Sequence, residues 1–195
     1  DSYKSILESF VHAGAANEVE VKVVPIHSSD LDEKNVHKKF ESFDGVLVAP
    51  GFGGRGIEGK INAIKYVREQ KIPFFGICLG MQMAVIEYAR NVLKLPSANS
   101  VEMDEDTPNP VISLMDEQRK VANKGGTMRL GAWECAVRKN TLLHKIYNSD
   151  HIEERHRHRY EFNDAYYEQF EKHGMIASGV NPETKLVEAV ELLSH

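Results

Sequence analysis

The residues best placed to do covalent chemistry are Gly76-Ile77-Cys78-Leu79-Gly80. They follow the apolar run Ile72-Pro73-Phe74-Phe75, which reads as a buried strand, and precede a Met- and Ala-rich segment that reads as a helix. Cys78 therefore occupies the nucleophile position of a strand-turn-helix elbow, with Cys in place of the more usual Ser. Glycines two residues to either side let strand and helix approach closely around a strained turn. A thiol at a helix N-terminus meets the positive end of the helix dipole, which favours the thiolate, and N–H groups that can hold a developing oxyanion. The competing interpretation is plain: a single Cys in an apolar run is commonly a small core residue.

Three further stretches carry chemistry or its absence. Pro50-Gly51-Phe52-Gly53-Gly54-Arg55-Gly56 follows a strand and is rich enough in glycine to bring main-chain N–H groups against an anion. It lacks the Gly-Lys-Ser/Thr ending of a phosphate loop; its alternatives are an oxyanion-binding loop beside the elbow and a flexible turn. Glu153-Glu154-Arg155-His156-Arg157-His158-Arg159-Tyr160 admits several readings. It can be a basic patch, a metal site, a solvated charged strand, or the source of an arginine fork that grips a carboxylate. Lys124 to Gly131 is either a glycine-hinged lid or a hairpin. Cys135, beside Trp133 in an expected strand, reads as core packing.

Those residues need elements to position them. The 195-residue chain suits one domain, and its 42% apolar and 27% charged content is that of an ordinary globular protein. A net charge of −5 argues against a nucleic-acid surface, and two cysteines make neither a disulfide framework nor a metal-ligand pattern. No apolar stretch spans a bilayer and the first residues form no signal peptide, so a reducing, cytoplasmic setting is expected. Spacing predicts helices over 2–14, 31–43, 59–70, 79–92, 141–147 and 164–173, the last capped by Asn163 and stopped by Gly174. Strands are expected at 19–26, 44–50, 72–76, 131–138, 175–179 and 186–192, with loop over 97–127 broken by an apolar run at 111–115 and irregular charged chain over 153–162. This alternation means α/β, with a mostly parallel central sheet and helices on both faces. Ligands in such sheets sit beyond the carboxyl ends of the strands, where the elbow and the glycine-rich loop both lie.

Taken together, residues 50–56, 76–82, Ala98-Asn99-Ser100-x-Glu102, 125–131 and 154–161 resemble the glutaminase domain of the CTP synthase family. The elbow alone would indicate only a class I (triad-type) glutamine amidotransferase. The resemblance covers nearly the whole chain and implies a class I glutamine amidotransferase-like (flavodoxin-like) fold. It implies that Cys78 attacks the side-chain amide of L-glutamine to give a thioester and ammonia, with the N–H groups of Gly51 (or its loop neighbours) and Leu79 holding the oxyanion. It places Glu102 at the substrate ammonium and Arg159 at its carboxylate, with Phe52, Gln82 and Tyr160 lining the pocket. It implies no cofactor or metal in this domain. ATP and Mg2+ would serve a synthetase domain of the same polypeptide, which aminates UTP to CTP; GTP would be an allosteric activator and the whole enzyme a homotetramer.

The family's opening strand and its His-Pro-Glu strand, which carries the other two members of the triad, have no counterpart in residues 1–195. His195 matches a position before that strand and is not assigned as the base. The bare chain is thus expected to hydrolyse glutamine poorly, and the parent protein well. Two other readings compete. A thiol hydrolase acting on γ-glutamyl peptides would keep the elbow but have no use for the Glu102 and Arg159 pair. A non-catalytic binding module is favoured only by the missing triad members.

Overall fold

The computed structural model describes residues 3–114 and 128–195. Its elements run α1 (Lys4–Ala16), α2 (Val36–Phe40), β1 (Val46–Val48), α3 (Ile57–Gln70), β2 (Phe74–Gly76), α4 (Leu79–Asn91), β3 (Asn99–Ser100), β4 (Pro110–Ser113) and β5 (Arg129–Val137). They continue with α5 (Leu142–Tyr147), β6 (His151–His158), β7 (Glu161–Phe162), α6 (Tyr167–Lys172), β8 (Met175–Val180) and β9 (Val187–Leu192), with short 3-10 turns at Ser28–Asp30 and Asp164–Tyr166.

The helix α4 organises the core. Its residues Leu79, Met83, Val85, Ile86, Tyr88 and Ala89 are all buried, as expected of a helix covered on most of its circumference. They pack with Ile57, Ile61 and Ile64 of α3, Val111 and Ile112 of β4, and Phe162 and Phe170. Glu87, 1% exposed on α4, is gripped by the guanidinium of Arg68 on α3 through two bonds of 2.8 Å. A buried carboxylate needs that partner, so this pair ties the two helices in one register.

Parallel pairing joins β1 to β2, with Val46 opposite Phe74 and Val48 opposite Gly76, and joins β3 to β4. The α/β alternation of the first half is thus realised where the elbow needs it. Pairing elsewhere among the described strands is antiparallel: β4 with β7, and a four-stranded ladder in the order β6-β5-β8-β9. Among the described strands, parallel pairing is therefore confined to residues 46–113, while β5 with β6, β5 with β8 and β8 with β9 run antiparallel.

Several elements depart from expectation. The expected helix at 31–43 shrinks to Val36–Phe40, because the Asp32 carboxylate accepts from the N–H groups of Lys34 and Asn35 (2.9 and 2.8 Å) and makes a turn first. Residues 19–26 form no strand; Val19, Val21 and Val23 are exposed, and no strand among the described residues pairs with them. The chain around the expected loop contains β3 and β4, and the charged segment at 153–162 is mostly strand β6. The Asn163 cap is present, accepting from the N–H of Ala165, but it starts a 3-10 turn that leads into a helix of only six residues. The part of the loop expectation covering 115–127, and the lid or hairpin at 124–127, lie outside the described residues.

Candidate active site

Cys78 is the residue on which β2 becomes α4, and its backbone holds φ +55° and ψ −105°. For a non-glycine residue that conformation is strained, and it persists because the surroundings force it. The ladder continues past β2, where the N–H of Ile77 donates to Val48 (3.0 Å), and the chain then turns at once, the N–H of Gly80 donating to Ile77 (2.9 Å). A Cβ on Gly76 would lie 2.6 Å from the backbone of Gly80, and one on Gly80 would collide with the carbonyl oxygen of Val48. Both elbow glycines are therefore required by close backbone approach.

The thiol is half-buried and opens on a cavity of about 250 Å³. That cavity is lined by Gly51, Phe52, Cys78, Gln82 and Glu102 on one side and Met128, Arg157, His158, Arg159 and Tyr160 on the other. Leu79 is buried and takes part through its backbone: its N–H and that of Gly51 both interact with the Cys78 sulfur. Burial pushes the thiol up from its ordinary value. The Leu79 amide opposes that, the charges of Glu102 and Glu161 reinforce it, and the Gly51 amide opposes it again. The expectation of a thiolate favoured by the helix terminus is corrected accordingly, since loss of water outweighs the two amides.

Each wall is fixed by its own element. Gln82, one turn into α4, is buried and donates from Nε2 to the Tyr160 carbonyl (3.1 Å); its Oε1 is buried without a hydrogen-bond partner among the described residues. Glu102 sits on the turn after β3, where fully buried Ser100 accepts the Glu102 N–H on its hydroxyl (3.2 Å). Its Oε1 accepts the N–H of Gly53 (3.2 Å), so the anion that the glycine-rich loop grips here is the protein's own carboxylate. Gly53 itself has φ +74°, and Gly56, at φ +66°, caps α3. Arg159 and Tyr160 leave the end of β6, whose register against β5 sets Arg129 opposite His158.

The structure thus gathers Cys78, Gly51, Phe52, Gln82, Glu102, Arg159 and Tyr160 around one cavity, with the Leu79 amide at the Cys78 sulfur. It adds Met128, Arg157 and His158, which the sequence reading named only as members of the 124–131 and 153–160 stretches. A signal was present in Arg155-His156-Arg157-His158, because that alternation is a strand's period of two. His156 and His158 are half-buried on one face, while Arg155 is exposed on the other. Donor atoms of His156, His158 and Glu188 lie within 4.8 Å of one another. Glu188 already carries the Arg129 guanidinium (2.8 and 3.3 Å), which gives the group the character of an ion-pair network. His195 lies at the other end of β2, its Nε2 2.7 Å from the Ile72 carbonyl, and so is not part of this site. Cys135 is buried, and burial pushes it up to about 11, consistent with packing and not reactivity.

Residues 1–194 match the family described as glutamine amidotransferase class-I. The chain belongs to the class I glutamine amidotransferases. Among its relatives is the CTP synthase of Flavobacterium johnsoniae, 63% identical over 195 residues, all of this chain and 36% of that protein. The CTP synthase of Aquifex aeolicus is 54% identical over the same length and share. A similar solved structure is the Trypanosoma brucei CTPS glutaminase domain with bound acivicin, with a TM-score of 0.92 at 40% identity, covering 100% of this chain and 76% of that one. This amidotransferase chain thus spans about a third of the length of the CTP synthases it matches. Among its described residues no helix is long and apolar enough to cross a membrane.

Proposed function

We propose that the chain is the glutaminase portion of a CTP synthase. The observation that carries this reading is the strained Cys78 opening on a small cavity, with two backbone N–H groups at its sulfur and an acid and a base on its walls. Glutamine is a zwitterion at its amino acid end and neutral at its amide, so its site needs one carboxylate, one cation and an uncharged reacting corner. Glu102 takes the ammonium, Arg159 the carboxylate, and Gln82, Phe52 and Tyr160 hold the aliphatic stem and amide in line. The Cys78 sulfur attacks the amide carbon, and the oxyanion of the tetrahedral intermediate is held by the N–H groups of Leu79 and Gly51. The C–N bond breaks, the proton lost by the thiol goes to the leaving nitrogen, and ammonia departs. Water then cleaves the γ-glutamyl thioester to glutamate.

The base that shuttles the proton belongs, by the family resemblance, to a His-Pro-Glu strand beyond residues 1–195. The remaining two-thirds of the polypeptide is taken to be the synthetase, which uses ATP and Mg2+ to aminate UTP with this ammonia, with GTP as activator, in a cytoplasmic homotetramer. No residue described here is assigned to those nucleotides. A γ-glutamyl peptide hydrolase would keep the elbow, but the family match and the CTP synthase relatives favour the amidotransferase reading.

The test is uncoupling in the complete protein. Cys78→Ala abolishes glutamine-dependent CTP formation and leaves ammonia-dependent formation intact. Loss of both activities together would remove Cys78 from the role assigned to it.

A further inference from the structure

His158 belongs to the cavity and also to a closed ring of five buried or half-buried ionisable side chains. Arg129, 4% exposed, donates to both oxygens of Glu188 (2.8 and 3.3 Å) and to Oε1 of Glu161 (3.4 Å). From Glu188 the ring continues to His156 Nε2 (3.3 Å), from His156 Nδ1 to His158 Nε2 (2.7 Å), and from His158 Nδ1 back to Glu161 (3.4 Å). The face of Trp133 lies 4.5 Å from the guanidinium and closes one side.

Protons can be counted around this ring. It has one hydrogen bond between the two imidazoles and two outer imidazole nitrogens that face carboxylates. Of these, His158 Nδ1 is buried with no hydrogen-bond partner among the described residues. Each of the three junctions is satisfied by one hydrogen. Two neutral imidazoles supply two. Without a third, a nitrogen lone pair faces a carboxylate oxygen inside the protein, an arrangement that costs free energy.

We propose that the ring keeps this third proton on Glu161 at neutral pH, and that the neutral Glu161 carboxyl positions His158 against the glutamine pocket. The positioning half rests on the glutaminase reading above; the proton does not. In this arrangement Glu161 O–H donates to His158 Nδ1, His158 Nε2–H to His156 Nδ1, and His156 Nε2–H to Glu188. The reverse order would place the proton on Glu188, the carboxylate that already holds the guanidinium fork and has least need of it. An imidazolium is disfavoured by burial and by Arg129, which together with neighbouring His156 push His158 down to about 4, against a weaker pull from the Tyr160 carbonyl.

The groups facing Glu161 are Arg129 from β5, His158 from β6, Glu188 from β9, Asp164 from the following 3-10 turn and Cys78 from the head of α4. Burial raises its carboxyl, Arg129 opposes, and Glu188 and Asp164 reinforce, leaving it pushed up to about 8. The neutral form gives the ring one positive and one negative charge. Ionisation adds a charge that opposes the Cys78 thiolate and sets a carboxylate against the His158 lone pair.

NMR of the chain with 13C-labelled glutamate and 15N-labelled histidine tests the proton directly. One glutamate carboxyl carbon titrates with a midpoint near 8, and that signal is absent from Glu161→Gln. His156 and His158 are both neutral Nε2–H tautomers at pH 7. Sequential assignment in the unsubstituted chain gives the same answer if the variant does not fold. Titration of every glutamate in the ordinary range, at about pH 4, or an imidazolium at pH 7, overturns the proposal. The positioning role is read in the complete protein. Glu161→Ala raises the glutamine KM about tenfold without changing ammonia-dependent turnover, and Glu161→Gln restores KM to within about twofold of the parent. Equal KM values in both variants and the parent would refute positioning while leaving the NMR result standing.

Discussion

At the residue scale, the account turns on how one carboxylate serves two partners. Glu102 holds the Gly53 N–H with Oε1 and so fixes the loop that carries the Gly51 amide to the Cys78 sulfur. In the proposed reading its other oxygen takes the substrate ammonium. Glu102→Gln keeps an oxygen for Gly53 but loses the charge, so it raises the glutamine KM by roughly tenfold or more, for about 1.5–3 kcal/mol, with kcat nearly unchanged. Glu102→Ala also releases the loop and lowers kcat. Steady-state glutaminase kinetics on the complete protein separate the two, and identical effects of both variants would mean that the Gly53 bond has no part in the reaction. At this scale Cys78 and the glycine-rich loop are recognisable from residue type and order, whereas Glu102 and Arg159 entered only through the family resemblance. The state of the thiol was not legible in the sequence. It depends on burial, on the charge of Glu102 and on whether Glu161 is ionised, and both carboxyl groups are distant from Cys78 in the chain.

At the element scale, the elbow is a packing problem that only two glycines solve. Gly80 sits on α4 against the Val48 carbonyl of β1, so Gly80→Ala trades a gain in helix propensity for a steric conflict with backbone. The variant loses about 1–3 kcal/mol in urea unfolding; a variant as stable as the parent would show that β1 and α4 can separate. Strand β6 was the least legible element, because its inward face carries His156 and His158 in place of apolar residues, and imidazoles that pair with Glu161 and Glu188 do not score as core. The segment at 19–26 failed in the opposite way. Val19, Val21 and Val23 alternate as a strand should, but alternation specifies a face and not a partner, and none of the described strands supplies one.

At the scale of the whole molecule, the buried ring sets how stability depends on pH. A carboxyl raised to about 8 when folded, such as Glu161, contributes stability that is complete below its ordinary value of 4.5 and is lost as pH rises through 8. Histidines lowered on folding act oppositely: the contribution of His158 is complete above its ordinary 6.5 and is lost as pH falls through about 4. The two oppose each other in the acid range, and only Glu161 acts between pH 6.5 and 8. Stability of the chain therefore falls across that interval, and Glu161→Gln flattens the slope. Urea midpoints that are flat or rising from pH 6.5 to 8 in the unsubstituted chain would contradict this.

The claim on which everything else depends is that the Cys78 sulfur is a glutamine-directed nucleophile. Mass spectrometry of the complete protein treated with an alkylating glutamine analogue reads it most directly. The account predicts one equivalent of label, on Cys78 and not Cys135, suppressed by L-glutamine. An unlabelled Cys78, or labelling that glutamine does not slow, would contradict it.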